Sequence, residues 1–443
     1  MNSRFHCELA WLGGNVATAD VLIEIVGERI VSLTQGVPFP PDAVSLAGLT
    51  LPGLANAHSH AFHRALRSRT HSGTGSFWTW RKQMYAVAAK LNPDSYFALA
   101  RAVFGEMVLS GITSVGEFHY LHHGAGGVPY ADANAMGDAL IAAANEAGIR
   151  ITLLDTCYLS GGFGAELNAV QQQFSDGQVD AWAERVSALS NAGNSRIGAA
   201  IHSVRAVDPQ SIGTVASWAS RNAAPLHVHV SEQPAENEQC LAAYGTTPTQ
   251  VLAERGALSD RFSAVHATHP FAVDIGLLAQ HRCTVCLCPT TERDLADGIG
   301  PSRAFGDAGI ALSLGSDSHA VIDMLEEARA VEMGERVTSL ERGTHDVAAL
   351  LTMATASGHA SLGWPDAGRI ALGAHADLVT IGLNSVRTAG VDLTSALTAA
   401  VFAATAADVH HVVVNGNVVV QDRAHVGFNV ARALQQSIGD LWK

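Results

Sequence analysis

The chain predicts a (β/α)8 TIM-like barrel with a small β-sandwich domain built from both chain termini. Two observations lead there. Between about residues 50 and 365, short β-type runs alternate with amphipathic helical stretches, and the 443-residue length suits a barrel of usual size with a small companion. The candidate strands are Leu51–Asn56, Thr113–Phe118, Arg150–Tyr158, Arg196–Ser203, Pro225–Glu232, Phe262–His269, Cys283–Pro289 and Ala311–Asp317. Helix signals fill the gaps: Asn92 as a cap before Pro93 with Gly111 as a stop, then Asp132 to Gly148, then Pro209 to Asn222. An open doubly wound sheet would show a Gly-rich phosphate loop after its first strand, and none follows here.

The two ends read differently from the middle. Residues 1–49 carry short alternating runs at Leu22–Val26 and Ile30–Leu33, broken by Gly and Asp. Residues 366–443 carry Asp377–Ile381, then Val412–Val414 and Val418–Val420 around Asn415-Gly416, a hairpin turn signal. Neither end can bury a core alone, so 1–49 and 366–443 are expected to pair beside a catalytic barrel of residues 50–365.

Composition narrows the function. Hydrophobic residues make up 48% and charged residues 15%, ample for a large core. A net charge of −14 argues against nucleic acid, whose phosphates need a basic surface, but leaves room for an anionic small substrate held by a few Arg residues. No apolar run reaches the ~18 residues of a membrane span, and Thr and Asp interrupt the nearest approach, Leu393–Val409. Met1–Gly14 lacks the basic start and apolar run of a signal peptide, so a cytoplasmic location is expected. Cys283, Cys286 and Cys288 fall in an apolar β-type run and are read as buried strand residues without disulfides.

The chemistry lies at the strand ends. His58 and His60 are two residues apart, so in extended chain both point to one side and can converge on one ion. His227 and His229 repeat that spacing. His229 and Glu232 close the fifth predicted strand, His266 lies near the end of the sixth, and Asp317 closes the eighth. In a barrel these ends share one mouth, where barrel enzymes work. His58, His60, His229 and Asp317 are therefore the candidate ligands of one divalent ion, zinc by default, with iron or manganese also suited to such donors. Such an ion lowers the pKa of water to ~7. Glu232 could then move a proton, His266 could orient the water or stabilise charge, and Asp317 could accept a proton. His119, His122 and His123 are expected to be loop histidines.

Leu51-Pro52-Gly53-Leu54 running into His58-Ser59-His60-Ala61-Phe62, with His229, Glu232, His266, Asp317 and a late Gly373-Ala374-His375-Ala376-Asp377-Leu378, resembles the amidohydrolase superfamily over nearly the whole chain. His202 stands where two-metal members carry a bridging Lys, which favours a one-metal deaminase-type member. The stretches Phe77-Trp78-Thr79-Trp80-Arg81, Gly116-Glu117-Phe118-His119-Tyr120, His202-Ser203-Val204-Arg205 and Cys288-Pro289-Thr290-Thr291-Glu292 resemble the N-formimidoyl-L-glutamate deiminases. The resemblance implies hydrolysis of a formamidine to N-formyl-L-glutamate and ammonia, with Arg81, Tyr120 and Arg205 holding the glutamate part and His202 lining the pocket. It also implies a homodimer. His63 stands where that family commonly has Gln, at a position facing the reacting group. The alternative activity is deamination of a heterocycle such as guanine or a triazine.

Overall fold

In the computed structural model, which describes residues 2–71 and 77–443, the β-type runs pair into two separate eight-stranded sheets. The N-terminal part supplies β1 (Asn2–Ala10), β2 (Thr18–Val26), β3 (Arg29–Thr34) and β4 (Val44–Pro52). The middle supplies β5 (Leu54–Ser59), β6 (Ile112–His119), β7 (Arg150–Cys157), β8 (Ser195–Ile201), β9 (Leu226–Val230), β10 (Phe262–His266), β11 (Thr284–Leu287) and β12 (Ala311–Leu314). The C-terminal part supplies β13 (Leu378–Ile381), β14 (Val409–Val414), β15 (Asn417–Gln421) and β16 (Ala424–His425).

Strands β5 to β12 form the barrel, each parallel to its neighbour in sequence. Every residue of β5, β6, β7, β9, β10 and β11 is buried, as expected for strands covered on both faces. The ring closes where Ser59 bridges Asp317: the Asp317 N–H donates to the His58 carbonyl at 3.0 Å, and the His60 N–H donates to the Asp317 carbonyl at 3.3 Å. Closure itself thus sets Asp317 beside His58 and His60.

The two chain ends pair as one sheet in the order β16-β15-β14-β13-β4-β1-β2-β3, with β13 against β4 joining them. One face buries Phe5, Val21, Ile23, Leu46, Leu378 and Val413. The Asn415-Gly416 turn has φ of 49° and 76°, the left-handed pair that a two-residue hairpin requires. The helix signals hold: Asn92 accepts the Ser95 N–H and caps Pro93–Leu109, Asp208 caps Pro209–Arg221, and Gly148 ends Ala135–Ala147 in left-handed conformation.

From β7 to β12 the barrel strands are shorter than the apolar runs suggested. The expected Leu51–Asn56 strand is split by Pro52-Gly53 into the end of β4 and the start of β5, because one continuous apolar run serves both sheets. At the upper ends the chain leaves the ladder early, at Ser231, His266 and Asp317, whose φ values of 51°, 68° and 42° turn it sharply. Such left-handed non-Gly residues cost of order 1–3 kcal/mol each and gather where function demands them. The Ala-rich Leu393–Val409 stretch holds only a short helix, Ala396–Phe402, followed by a 3-10 turn. Among the described residues, no helix is long and apolar enough to cross a membrane. All six cysteines are buried and free; Cys283, Cys286 and Cys288 are buried as their apolar run suggested.

The sheet and barrel are tied by a fully buried ion pair. Arg150, on β7, donates to Asp377 at 2.7 Å, and Asp377 accepts the Asn415 N–H at 2.9 Å. Asp377→Ala would leave a guanidinium buried without its counter-charge and is expected to destabilise the fold by about 3–5 kcal/mol. Urea unfolding measures this; a loss below ~1 kcal/mol would show the pair to be dispensable.

Candidate active site

At the barrel mouth, four donors face one another. His58 Nε2 and His60 Nε2 each lie 3.4 Å from Asp317 Oδ1, and His229 Nε2 lies 3.1 Å from His58 Nε2. Backbone carbonyls fix two of the tautomers: His60 Nδ1 donates to Phe118 at 2.9 Å and His229 Nδ1 to His202 at 2.9 Å. Their Nε2 lone pairs are therefore left facing inward. Burial pulls His60 and His229 below the ordinary imidazole range and His58 down to about 3, so these rings are neutral donors. Burial works against Asp317, yet His58, His266 and His60 hold its carboxyl well below the usual range. The second sequence pair does not converge: His227 sits a layer lower, with its Nε2 bonded to the Ser361 carbonyl.

Around this cluster lie the proton-moving candidates. His266 Nε2 is 3.9 Å from Glu232 Oε1 and 4.0 Å from Asp317 Oδ2, while its Nδ1 is 3.5 Å from Glu292 Oε1. Burial lowers His266, but Glu232, Glu292 and Asp317 outweigh it and hold the ring at about 10. Burial pushes the Glu232 carboxyl up, opposed by His266 and Arg205. Arg205 reaches to 3.8 Å from Glu232 and 3.9 Å from Glu236.

A cavity opens over these groups. Its walls carry His60, His229, Glu232, His266 and Asp317, together with His63, Arg81, Tyr120, His202 and Arg205, and His58 lies fully buried beneath. The residues singled out in the sequence are thus brought to one place. His63 is bonded to the Tyr120 hydroxyl at 2.9 Å. Of the Phe77–Arg81 stretch, the Phe77 and Trp78 side chains lie outside the described residues. Of the three histidines expected in a loop, His119 instead closes β6, while His122 and His123 lie in the loop that follows it, and all three are buried. Donor atoms of His119, His122 and Asp155 come within 4.8 Å of one another, but Asp155 is already bound by Arg185 at 2.7 Å and Trp182 at 2.9 Å.

Sequence reasoning missed several supporting groups. Glu117 accepts Ser59 Oγ–H at 2.6 Å and the Ala61 N–H at 2.6 Å, so one carboxylate pins both sides of the His58-Ser59-His60 turn. Burial pushes it up to about 8. Glu292 receives the Cys288 N–H at 2.8 Å while facing His266. Both stood in stretches already quoted, and a lone carboxylate in a strand expected to be buried is the signal that could have marked Glu117.

The amidohydrolase family model matches residues 49–419. The chain belongs to the amidohydrolase family. Members are hydrolases, and this chain is an enzyme of that kind acting on C–N bonds. The formimidoylglutamate deiminase of Pseudomonas aeruginosa is 36% identical over 437 residues, covering 95% of this chain and 96% of that protein. The 5-methylthioadenosine/S-adenosylhomocysteine deaminase of Natronomonas pharaonis is 30% identical, covering 92% and 90%. Among solved structures, an amidohydrolase from Brucella melitensis superposes with a TM-score of 0.91 at 32% identity over all of both chains.

Proposed function

We propose that the protein hydrolyses N-formimidoyl-L-glutamate to N-formyl-L-glutamate and ammonia. The observation that carries this reading is the pairing of two guanidiniums, Arg81 and Arg205, with the neutral-imidazole and carboxylate cluster in one cavity. A dicarboxylate amidine needs both: planar forks for its carboxylates and an activated water for its C=N carbon. A purine or triazine carries no carboxylates for Arg205 to meet.

The donor set suits one divalent cation. Three imidazole nitrogens and one carboxylate oxygen gather there, His58, His60 and Asp317 as one close group with His229 3.1 Å from His58, and the carbonyl bonds of His60 and His229 direct their Nε2 lone pairs inward. His58, His60, His229 and Asp317 would hold the ion, with zinc favoured by the donors. When bound, it would make a nucleophilic water available near neutral pH.

The chain's own groups do the rest. Glu232 takes a proton from the attacking water and passes it to the imine nitrogen; as the tetrahedral centre collapses to C=O, its hydroxyl proton is taken up by Asp317 and delivered to the same nitrogen, so that the C–N bond breaks and ammonia leaves. His266 Nε2 donates toward the tetrahedral centre as charge develops there. Asp317 stands as a further proton acceptor. Arg81, Tyr120, His202 and Arg205 hold the glutamate part, and His63, fixed on Tyr120, borders the formimidoyl end.

Ammonia release is the test. The metal-loaded enzyme is expected to turn over N-formimidoyl-L-glutamate with at least 10³-fold higher kcat/KM than guanine or 5-methylthioadenosine, since unpaired buried polar groups penalise the wrong ligand steeply. Comparable or greater turnover of either purine would remove this reading.

A further inference from the structure

The far wall of the cavity carries a donor that the proposed reaction does not use. The Gln171 side chain is fixed in orientation, because its Oε1 accepts the Asn168 N–H at 3.0 Å. Its amide NH2 is therefore what meets the Tyr158 hydroxyl, at 2.7 Å, and the Tyr158 oxygen accepts. Arg81 Nε–H donates to the Tyr85 hydroxyl at 2.7 Å, so that oxygen accepts as well. The two phenols are neighbours, and burial with the adjacent Tyr158 pushes Tyr85 above the ordinary phenol range. Two hydroxyl protons remain, and a Tyr85–Tyr158 contact can use only one. Both residues line the cavity, as does Arg205, whose buried Nε has no hydrogen-bond partner among the described residues.

We infer that Tyr85 and Tyr158 form a specificity-determining pair, presenting a surplus O–H donor that binds a substrate carboxylate oxygen alongside the two guanidiniums. Beside the pair, Arg81 and Arg205 cannot accept and the Gln171 oxygen is turned away toward Asn168, while the Glu232 and Glu236 carboxylates face Arg205. Two guanidiniums and a phenol proton at one wall favour an anion, and a neutral phenol adds direction to a charge that Arg provides without it. This rests on the anionic substrate proposed above, but its test does not depend on turnover.

Glutarate, a plain dicarboxylate, serves as the probe, titrated calorimetrically into the metal-loaded protein and into the Tyr85→Phe/Tyr158→Phe double variant. A hydrogen bond to a charged group accounts for roughly 10–100-fold in affinity, so the double variant should bind glutarate at least tenfold more weakly. Each single variant keeps one proton on the pair and should lose less than the double; if the double variant fails to fold, an intermediate loss in the singles carries the inference. With N-formimidoyl-L-glutamate, KM should rise by a similar factor while kcat stays within about threefold, since no reacting atom is touched. Unchanged glutarate affinity in a folded double variant, in both singles where the double does not fold, or no glutarate binding by the unaltered enzyme, would overturn the inference. Failure to release ammonia from N-formimidoyl-L-glutamate, with glutarate binding still dependent on the phenols, would instead sink only the reaction proposed above.

Discussion

Glu232→Gln is expected to keep the fold and the metal while losing turnover by roughly 10²–10⁴-fold, the usual contribution of a positioned acid–base group. The carboxylate is buried, lies 3.9 Å from His266 Nε2 and 3.8 Å from Arg205, and is not among the four donors that face one another below it. Gln preserves its volume and reach but can neither take a proton nor carry one to the imine nitrogen. Burial already raises Glu232, which brings its proton affinity toward that of the groups it must serve. Metal content and thermal unfolding should match the unaltered enzyme, and a Glu232→Gln enzyme retaining more than about a tenth of normal kcat would remove Glu232 from the proton path.

The second large effect is on binding. Arg205→Ala should raise KM for N-formimidoyl-L-glutamate by roughly 10²–10³-fold, because a bidentate charge-assisted contact carries two strong hydrogen bonds. The guanidinium is almost fully enclosed, with its charge facing Glu232 and Glu236, so its loss also leaves two buried carboxylates facing each other without a cation. Burial holds Glu236 up at about 7 even with Arg205 present. Arg205→Lys separates the two effects: the charge returns, the planar fork does not, and most of the KM loss should persist. If Arg205→Ala changed kcat alone and left KM intact, the residue would act on the reacting groups rather than on the substrate's carboxylates.

Much of this was legible in the residues. The barrel came from alternation of buried β-runs with capped helices, and Asn92-Pro93 and Asn415-Gly416 state their local geometry almost unaided. His58 and His60 were readable because extended chain alternates sides, and this holds at His60 although it lies one residue past β5. Where β4 ends and β5 begins was not legible, since the apolar run is continuous and only Pro52-Gly53 interrupts it. The strained turns at Ser231, His266 and Asp317 also leave no trace in periodicity, because tertiary closure imposes them. His119 misled for a related reason: a polar side chain at a strand end reads as loop until the ladder is seen to reach it. Glu117 meets Ala61, 56 residues away, and Glu292 meets His266, 26 residues away, relations that spacing cannot express.

The measurement that bears most directly on the whole account is metal titration of the apoenzyme. Chelated protein should release no ammonia from N-formimidoyl-L-glutamate, and zinc should restore turnover linearly up to one equivalent per chain, with Asp317→Ala abolishing that recovery. Full activity in the metal-free enzyme, or recovery that requires a second equivalent, would contradict a single cation held by His58, His60, His229 and Asp317.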